Sequence, residues 1–225
     1  MNLMHIVALL CGAVTGFIIS LWIKNDLKKL KVNSNKSLHL FVETACGVLF
    51  LLVYMKSGLT LFSLIYSLSF SVMFLISVID FKTKEINIYY LLIPASLLLT
   101  GTLLGFFNRV DEKILGHPIA PLFPSLIGGF SGGLFVFLVR FIGSKILKQE
   151  GLGEGDIYVA IIMGLILGYE MFFYSIIAAG ILGILFYLLM PALKKSREIP
   201  FAPFLSLGLF IVFMFSDILF SYLIK

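Results

Sequence analysis

Windows of about 20 mostly apolar residues recur from one end of this chain to the other, separated only by short polar breaks. No other feature restricts the fold as much. A bilayer core offers backbone N–H and C=O groups no partner, so each window must satisfy them internally, as a helix. Composition agrees: 60% of the 225 residues are hydrophobic, 13% are charged and the mean hydropathy is +1.08, far from the balance of a soluble domain. The expectation is an all-α, polytopic membrane helical bundle forming a single integral-membrane domain over residues 1–225.

Spans are predicted near 3–23, 38–55, 59–79, 88–106, 120–142, 156–170, 171–192 and 201–222, about eight transmembrane helices. The Gly168-Tyr169-Glu170 break between the sixth and seventh is a weak separator, and a count with fewer spans is the alternative. Charge placement tests the count, because Lys and Arg in short loops stay on the cytoplasmic side. With the N-terminus outside, only Lys56, Arg109, Lys113 and Lys225 of the 17 basic residues face outward. The others face inward, among them Lys24, Lys28, Lys29, Lys31 and Lys36 in a short cytosolic loop over 24–37. This bias accounts for the net charge of +5, which therefore suggests no nucleic-acid partner. A lysine cluster follows the first span and no basic residue precedes it, which favours a retained anchor over a cleaved signal peptide. Cys11 and Cys46 fall inside apolar windows and no C-x-x-C occurs, so neither a zinc site nor a disulfide framework is expected.

Helix contacts are marked by small residues. Gly128 with Gly132, Gly129 with Gly133, and Gly164 with Gly168 are G-x-x-x-G steps, which let helices approach closely where lipid supplies no hydrophobic drive. They predict tight packing of the fifth span on the sixth. No long repeat is evident, so an inverted-repeat transporter has no support.

A carboxylate at a membrane edge or inside a bundle is costly and is a functional candidate for that reason. Asp80 ends the third span in "SVIDFKTKEIN" and Asp156 opens the sixth in "GEGDIYV". In the eight-span topology both reach the cytoplasmic boundary, at one depth. Glu43 lies a short way into the second span, where it reads equally as packing polarity or as a supporting residue. Asp217 falls near the opposite face and Glu170 at an outer turn. Two aspartates at one depth can share a proton, the ionised one activating water and the protonated one polarising a carbonyl, which is aspartic-protease chemistry. The plainer reading is that each caps or salt-bridges a helix end. Gly153 and Gly155 shift the balance toward chemistry, since glycines before Asp156 permit unusual backbone angles and the close approach of another chain.

Other hydrolytic designs fail on inventory. "GGFSGG" places Ser131 in a G-x-S-G, as in rhomboid intramembrane proteases, but that mechanism needs a histidine base in a later span. His5, His39 and His117 all precede Ser131. No H-E-x-x-H occurs, so no catalytic metal is predicted.

In order along the chain, "CGAVTGFIIS", "LFVETACGVLF", "IDFKTKEIN", "GEGDIYVAIIMGLILG" and "EIPFAPFLSLG" resemble the segments of the type IV prepilin peptidases, membrane aspartic proteases of the G-x-G-D class. The resemblance covers nearly the whole chain. It implies a catalytic pair Asp80 and Asp156, with Gly153 and Gly155 shaping the loop beside Asp156 and Glu43 in possible support. It implies as partners prepilin or pseudopilin substrates, whose basic leader lies in the cytoplasm and whose hydrophobic helix lies in the membrane, with membrane lipids around the enzyme. It places the protein in the inner (plasma) membrane as a multi-pass peptidase serving type IV pilus assembly or secretion, with no cofactor for proteolysis. Asn87, Tyr158 and Ala202 stand where the family commonly has proline, lysine and glycine. Many bacterial members also carry a larger zinc-binding loop with two C-x-x-C pairs, linked with S-adenosylmethionine-dependent N-methylation of the new pilin terminus. Residues 24–37 hold no cysteine, so methyltransferase activity and its S-adenosylmethionine are not expected to follow. Two other functions compete: an ion- or proton-coupled membrane transporter using the same aspartates, and a G-x-G-D protease for preflagellins or other signal peptides.

Overall fold

The structure, a computed structural model, describes residues 3–32, 35–84, 86–108, 122–147, 153–189 and 200–223. These form seven helices and, among the described residues, no strand: α1 (Leu3–Lys29), α2 (Lys36–Ser57), α3 (Leu61–Thr83), α4 (Ile88–Asn108), α5 (Leu122–Leu147), α6 (Glu154–Leu189) and α7 (Ala202–Leu223). Six are long and apolar enough to cross a membrane, and Ile88–Leu104 of α4 is a shorter apolar helix. The polytopic helical bundle expected from the hydropathy pattern is what the chain forms. His117, the basic residues Arg109, Lys113, Lys148, Lys194, Lys195, Arg197 and Lys225, and the start of "EIPFAPFLSLG" lie outside the described residues.

The bundle is organised around α3, most of whose length is buried. It packs on α1, α2, α4 and α7. Its serines could have been a liability in an apolar interior, but Ser67, Ser69, Ser71 and Ser77 each donate to the carbonyl four residues earlier. Such local bonds satisfy the hydroxyl without a distant partner. Ser77 also pairs with Ser206 of α7 at 2.9 Å. At the other end of α3, Thr60 and Ser63 form a reciprocal capping box.

Helix pairs meet where side chains are missing. In lipid the association of helices rests on van der Waals packing, so a glycine that brings backbones together adds contact no larger residue could. A Cβ on Gly12 would sit 2.7 Å from the Cys46 carbonyl oxygen, and one on Gly16 2.7 Å from Cα of Glu43, which seats α1 on α2. Gly128 and Gly164 face each other between α5 and α6, and Gly132 lies 2.6 Å, by the same measure, from the Ala160 carbonyl. Gly208 of α7 is held similarly against Ser175 and Ala179 of α6.

Two boundaries differ from the sequence expectation. The stretch 24–37 is not all loop: α1 continues to Lys29, and α2 starts at Lys36. Ile23 and Leu27 are fully buried one turn apart, so an apolar stripe carries the helix on through residues that look polar in a window average. The second difference concerns α6, whose 36 residues would make a straight rod of about 54 Å, far longer than a bilayer core of about 30 Å. Gly168 breaks it, with φ 74° and ψ 175°. The division foreseen between the sixth and seventh spans therefore exists and falls on Gly168 itself. The part before it packs on α5 through Gly164, and the part after it on α7 through Ser175 and Ala179.

Candidate active site

Asp80 sits in the last turn of α3, and its side chain is buried to 5% exposure. The helix stops four residues later at Lys84, which adopts the left-handed conformation (φ 57°, ψ 21°) and returns its N–H to the Asp80 carbonyl at 2.8 Å. The carboxylate itself is held from another helix. Ala202 opens α7, and its backbone N–H donates to Asp80 Oδ2 at 3.2 Å. The first four N–H groups of a helix have no partner within it. Here one of those orphan donors finds a buried carboxylate, and the positive end of the α7 dipole faces it. That gives "PFAPFLSLG" a physical role: it delivers a helix start to Asp80.

Asp156 lies in the first turn of α6 and is as buried, at 4%. Its Oδ2 accepts the backbone N–H of Gly153, the residue just before the helix, at 3.0 Å. This is one half of a capping box, an acid at the third helical position reaching back to the cap residue's N–H. Gly153 has no side chain to supply the other half.

The two glycines differ in what they do. A Cβ on Gly155 would lie 2.5 Å from Cβ of Ile86, in the connection between α3 and α4, so this glycine exists for close approach. A Cβ on Gly153 would meet nothing closer than Asp156 Oδ2 at 3.7 Å, and Gly153 has no positive φ. Neither glycine has a positive φ; Gly155 is confined by the chain's own Ile86, and no such contact confines Gly153.

These contacts bring four helix ends together: the close of α3, the starts of α4, α6 and α7. Helices α3 and α6 are bridged by α4 and α7, each of which packs on both. Asp80 and Asp156 face this junction near enough that the charge of one acts on the other. Both carboxyls are buried, and among the described residues Ala202 N–H donates to Asp80 and Gly153 N–H to Asp156.

The contacts of the other residues singled out in the sequence are with other helices or within their own. Glu43 is half-buried, its backbone pressed against Gly16 at the α1–α2 contact. Asp217 pairs with Lys56 at 2.8 Å, and Lys56 also donates to the Met214 carbonyl at 3.2 Å, tying α2 to α7. Glu170 accepts the Tyr169 hydroxyl. Ser131 donates to the Gly128 carbonyl within its own helix, at 3.1 Å.

One buried acid escaped the sequence reading. Asp26, at 7% exposure, lay within the stretch taken for a loop. It sits beside the phenol of Tyr90, on α4 just past the α3–α4 connection, and 3.6 Å from Lys29. Trp22 stacks on the Tyr90 ring at 5.6 Å. The connection is thus braced on one side by α1 and on the other by Gly155. The signal was available in the helical spacing of Ile19, Ile23, Asp26 and Leu27, which puts the acid on the buried face.

The description of the type IV leader peptidase family matches residues 67–188, a stretch containing both Asp80 and Asp156. The chain belongs to the type IV leader peptidase family. It is similar to proteins called prepilin leader peptidase/N-methyltransferase in two bacteria. With that of Bacillus subtilis (strain 168) it is 27% identical over 143 residues, 62% of this chain and 53% of the relative. With that of Haemophilus influenzae (strain ATCC 51907 / DSM 11121 / KW20 / Rd) it is 26% identical over 176 residues, 78% and 70% of the two chains. The chain spans about half the length of the first of these relatives. No solved structure matches it. Family membership and the polytopic helical fold agree with what the ordered motifs implied.

Proposed function

We propose that this protein is an integral-membrane aspartic endopeptidase that removes the leader peptide of type IV prepilins or pseudopilins at the cytoplasmic face of the plasma membrane. One observation carries the reading: two buried aspartates from separate helices, Asp80 and Asp156, lie at one end of the bundle, each accepting a backbone N–H. Family membership supports it, since the matched relatives are called prepilin leader peptidases.

In this mechanism one carboxylate takes a proton from water as the water oxygen bonds to the scissile carbonyl carbon. The other, protonated, donates to the carbonyl oxygen. The resulting diol collapses with cleavage of the C–N bond: the leaving amine takes up the proton gained by the first carboxylate, and one diol hydroxyl returns its proton to the second. Gly155 keeps the Asp156 turn against Ile86, and the orphan N–H of Ala202 fixes the Asp80 carboxylate, so both acids are oriented before substrate arrives. The substrate helix would stand in the membrane with its basic leader in the cytoplasm, beside the junction if the N-terminus lies outside as the lysine bias predicts. Proteolysis by this route uses no cofactor. Methyl transfer from S-adenosylmethionine is left out of the reading, because residues 24–37 hold no cysteine where methylating members carry two C-x-x-C pairs.

The test is cleavage of a model prepilin by purified protein in detergent. D80N and D156N should each abolish cleavage, because an amide can neither accept the proton of water nor share one with its partner. Full activity in either variant would overturn the dyad. Ion-dependent flux in vesicles without any cleavage would turn the reading toward a transporter.

A further inference from the structure

Asp156 depends for its direction on the first turn of α6, and that turn carries an ion pair the reaction does not use. Glu154, the first residue of α6, accepts Arg140 Nη2 from α5 at 3.1 Å on its Oε1. The Arg140 side chain is mostly buried, while that of Glu154 is 71% exposed. A pair with one partner in solvent adds little to global stability. Its geometry is more telling than its strength. Helix first turns have unpaired N–H groups and fray, and this one holds Asp156 two residues beyond Glu154. Three restraints act on it: the bond from Gly153 N–H to Asp156, the seat of Gly155 on Ile86, and the bridge to Arg140. The first closes the turn on itself, and the second seats it against the α3–α4 connection. Among these three, the bridge to Arg140 is the one that ties the turn to α5.

We infer that Arg140 and Glu154 form a clasp that sets the rotation of the α6 first turn, so that the Asp156 carboxylate faces Asp80; both are positioning residues. This rests on the peptidase reading for its effect on rate, though not for its effect on the turn. Small misplacement of a catalytic group lowers turnover more than substrate binding, so the signature is a fall in kcat with KM held.

The experiment compares the unaltered protein with R140Q, E154Q, R140E and the charge-swapped R140E/E154R, in detergent. Each single variant should lose kcat by about tenfold with KM unchanged, while the swap recovers to within about threefold of the original. Amide hydrogen exchange over residues 153–158 should quicken in each single variant and slow again in the swap, with the thermal midpoint constant throughout. Normal exchange in the single variants overturns the clasp. So does a swap that restores exchange but not turnover, since Arg140 would then act on Asp156 through its charge. If the unaltered protein cleaves no prepilin, the peptidase reading fails, and the exchange measurement decides the clasp by itself.

Discussion

At the scale of single residues, Gly153 and Gly155 show how one motif can hold two kinds of glycine. Gly155 has Cβ of Ile86 where its own side chain would be, and that atom cannot move without its backbone. G155A should therefore lower the thermal midpoint in detergent and reduce cleavage, because the turn carrying Asp156 must shift away from the α3–α4 connection. G153A should leave the midpoint where it is, since a methyl group there meets only ordinary contacts. Equal destabilisation by the two changes would contradict this account. For the aspartates, the proposed mechanism makes a pH prediction. Cleavage needs one acid charged and one neutral, so it should fall at low pH, where both are protonated, and at high pH, where both are ionised. The profile of kcat/KM should be bell-shaped, its limbs belonging to the pair and not to either residue. A single-limbed profile would speak against two coupled groups. Asp80 and Asp156 were visible as candidates in the sequence because few carboxylates interrupt so apolar a chain. Ala202 N–H and Ile86 were not, because a backbone donor and a packing aliphatic carry no mark of their role until the fold brings them to the acids.

Among the helices, α6 depends most on one residue. The backbone angles of Gly168 lie in a region that side chains essentially exclude, at a cost of about 1–3 kcal/mol for a residue forced into it. The same glycine is pressed by Gly128 of α5, whose Cβ, if present, would lie 2.6 Å from its carbonyl carbon. G168A thus meets that strain, and should lower the thermal midpoint by more than A179G, which removes a methyl at the contact of α6 with Gly208 without creating any. An unchanged midpoint in G168A would mean that the break is not needed. The sequence located this break, because a glycine beside Tyr169 and Glu170 interrupts an otherwise continuous apolar run. It could not give the end of α1, since Lys24, Asn25 and Asp26 look like the start of a loop. Only the packing of Ile23 and Leu27 against α3 and its neighbours carries the helix further. Asp26 was missed for that reason: a charge is read as exposed until the helix under it is known to continue. Its place beside Tyr90 and Trp22 braces the connection that follows Asp80. Y90F keeps the stacking ring but removes the hydroxyl beside a buried carboxylate, and should lower the midpoint modestly, by less than Y90A.

For the molecule as a whole, the fold class followed from hydropathy because a bilayer leaves a single chain few ways to bury its backbone. Orientation is a separate question, and the proposed chemistry depends on it. The α3 and α6 ends that carry Asp80 and Asp156 share their side of the bundle with the connection between α1 and α2, while the connection between α2 and α3 lies at the far end, near Lys56 and Asp217. The lysine bias predicts that the first group lies inside and the second outside. Two variants with one added cysteine each separate the possibilities: N35C in the α1–α2 connection and L59C in the α2–α3 connection. Both sites lie between helices, whereas the native Cys11 and Cys46 lie within α1 and α2, where a charged reagent has poor access. A membrane-impermeant maleimide added to intact cells should label L59C and leave N35C untouched until the membrane is broken. The reverse pattern would place both aspartates on the outer face. A leader that stays in the cytoplasm could then never meet them, and the cleavage proposed for this site would have to be given up even if the two carboxylates proved to act as a pair.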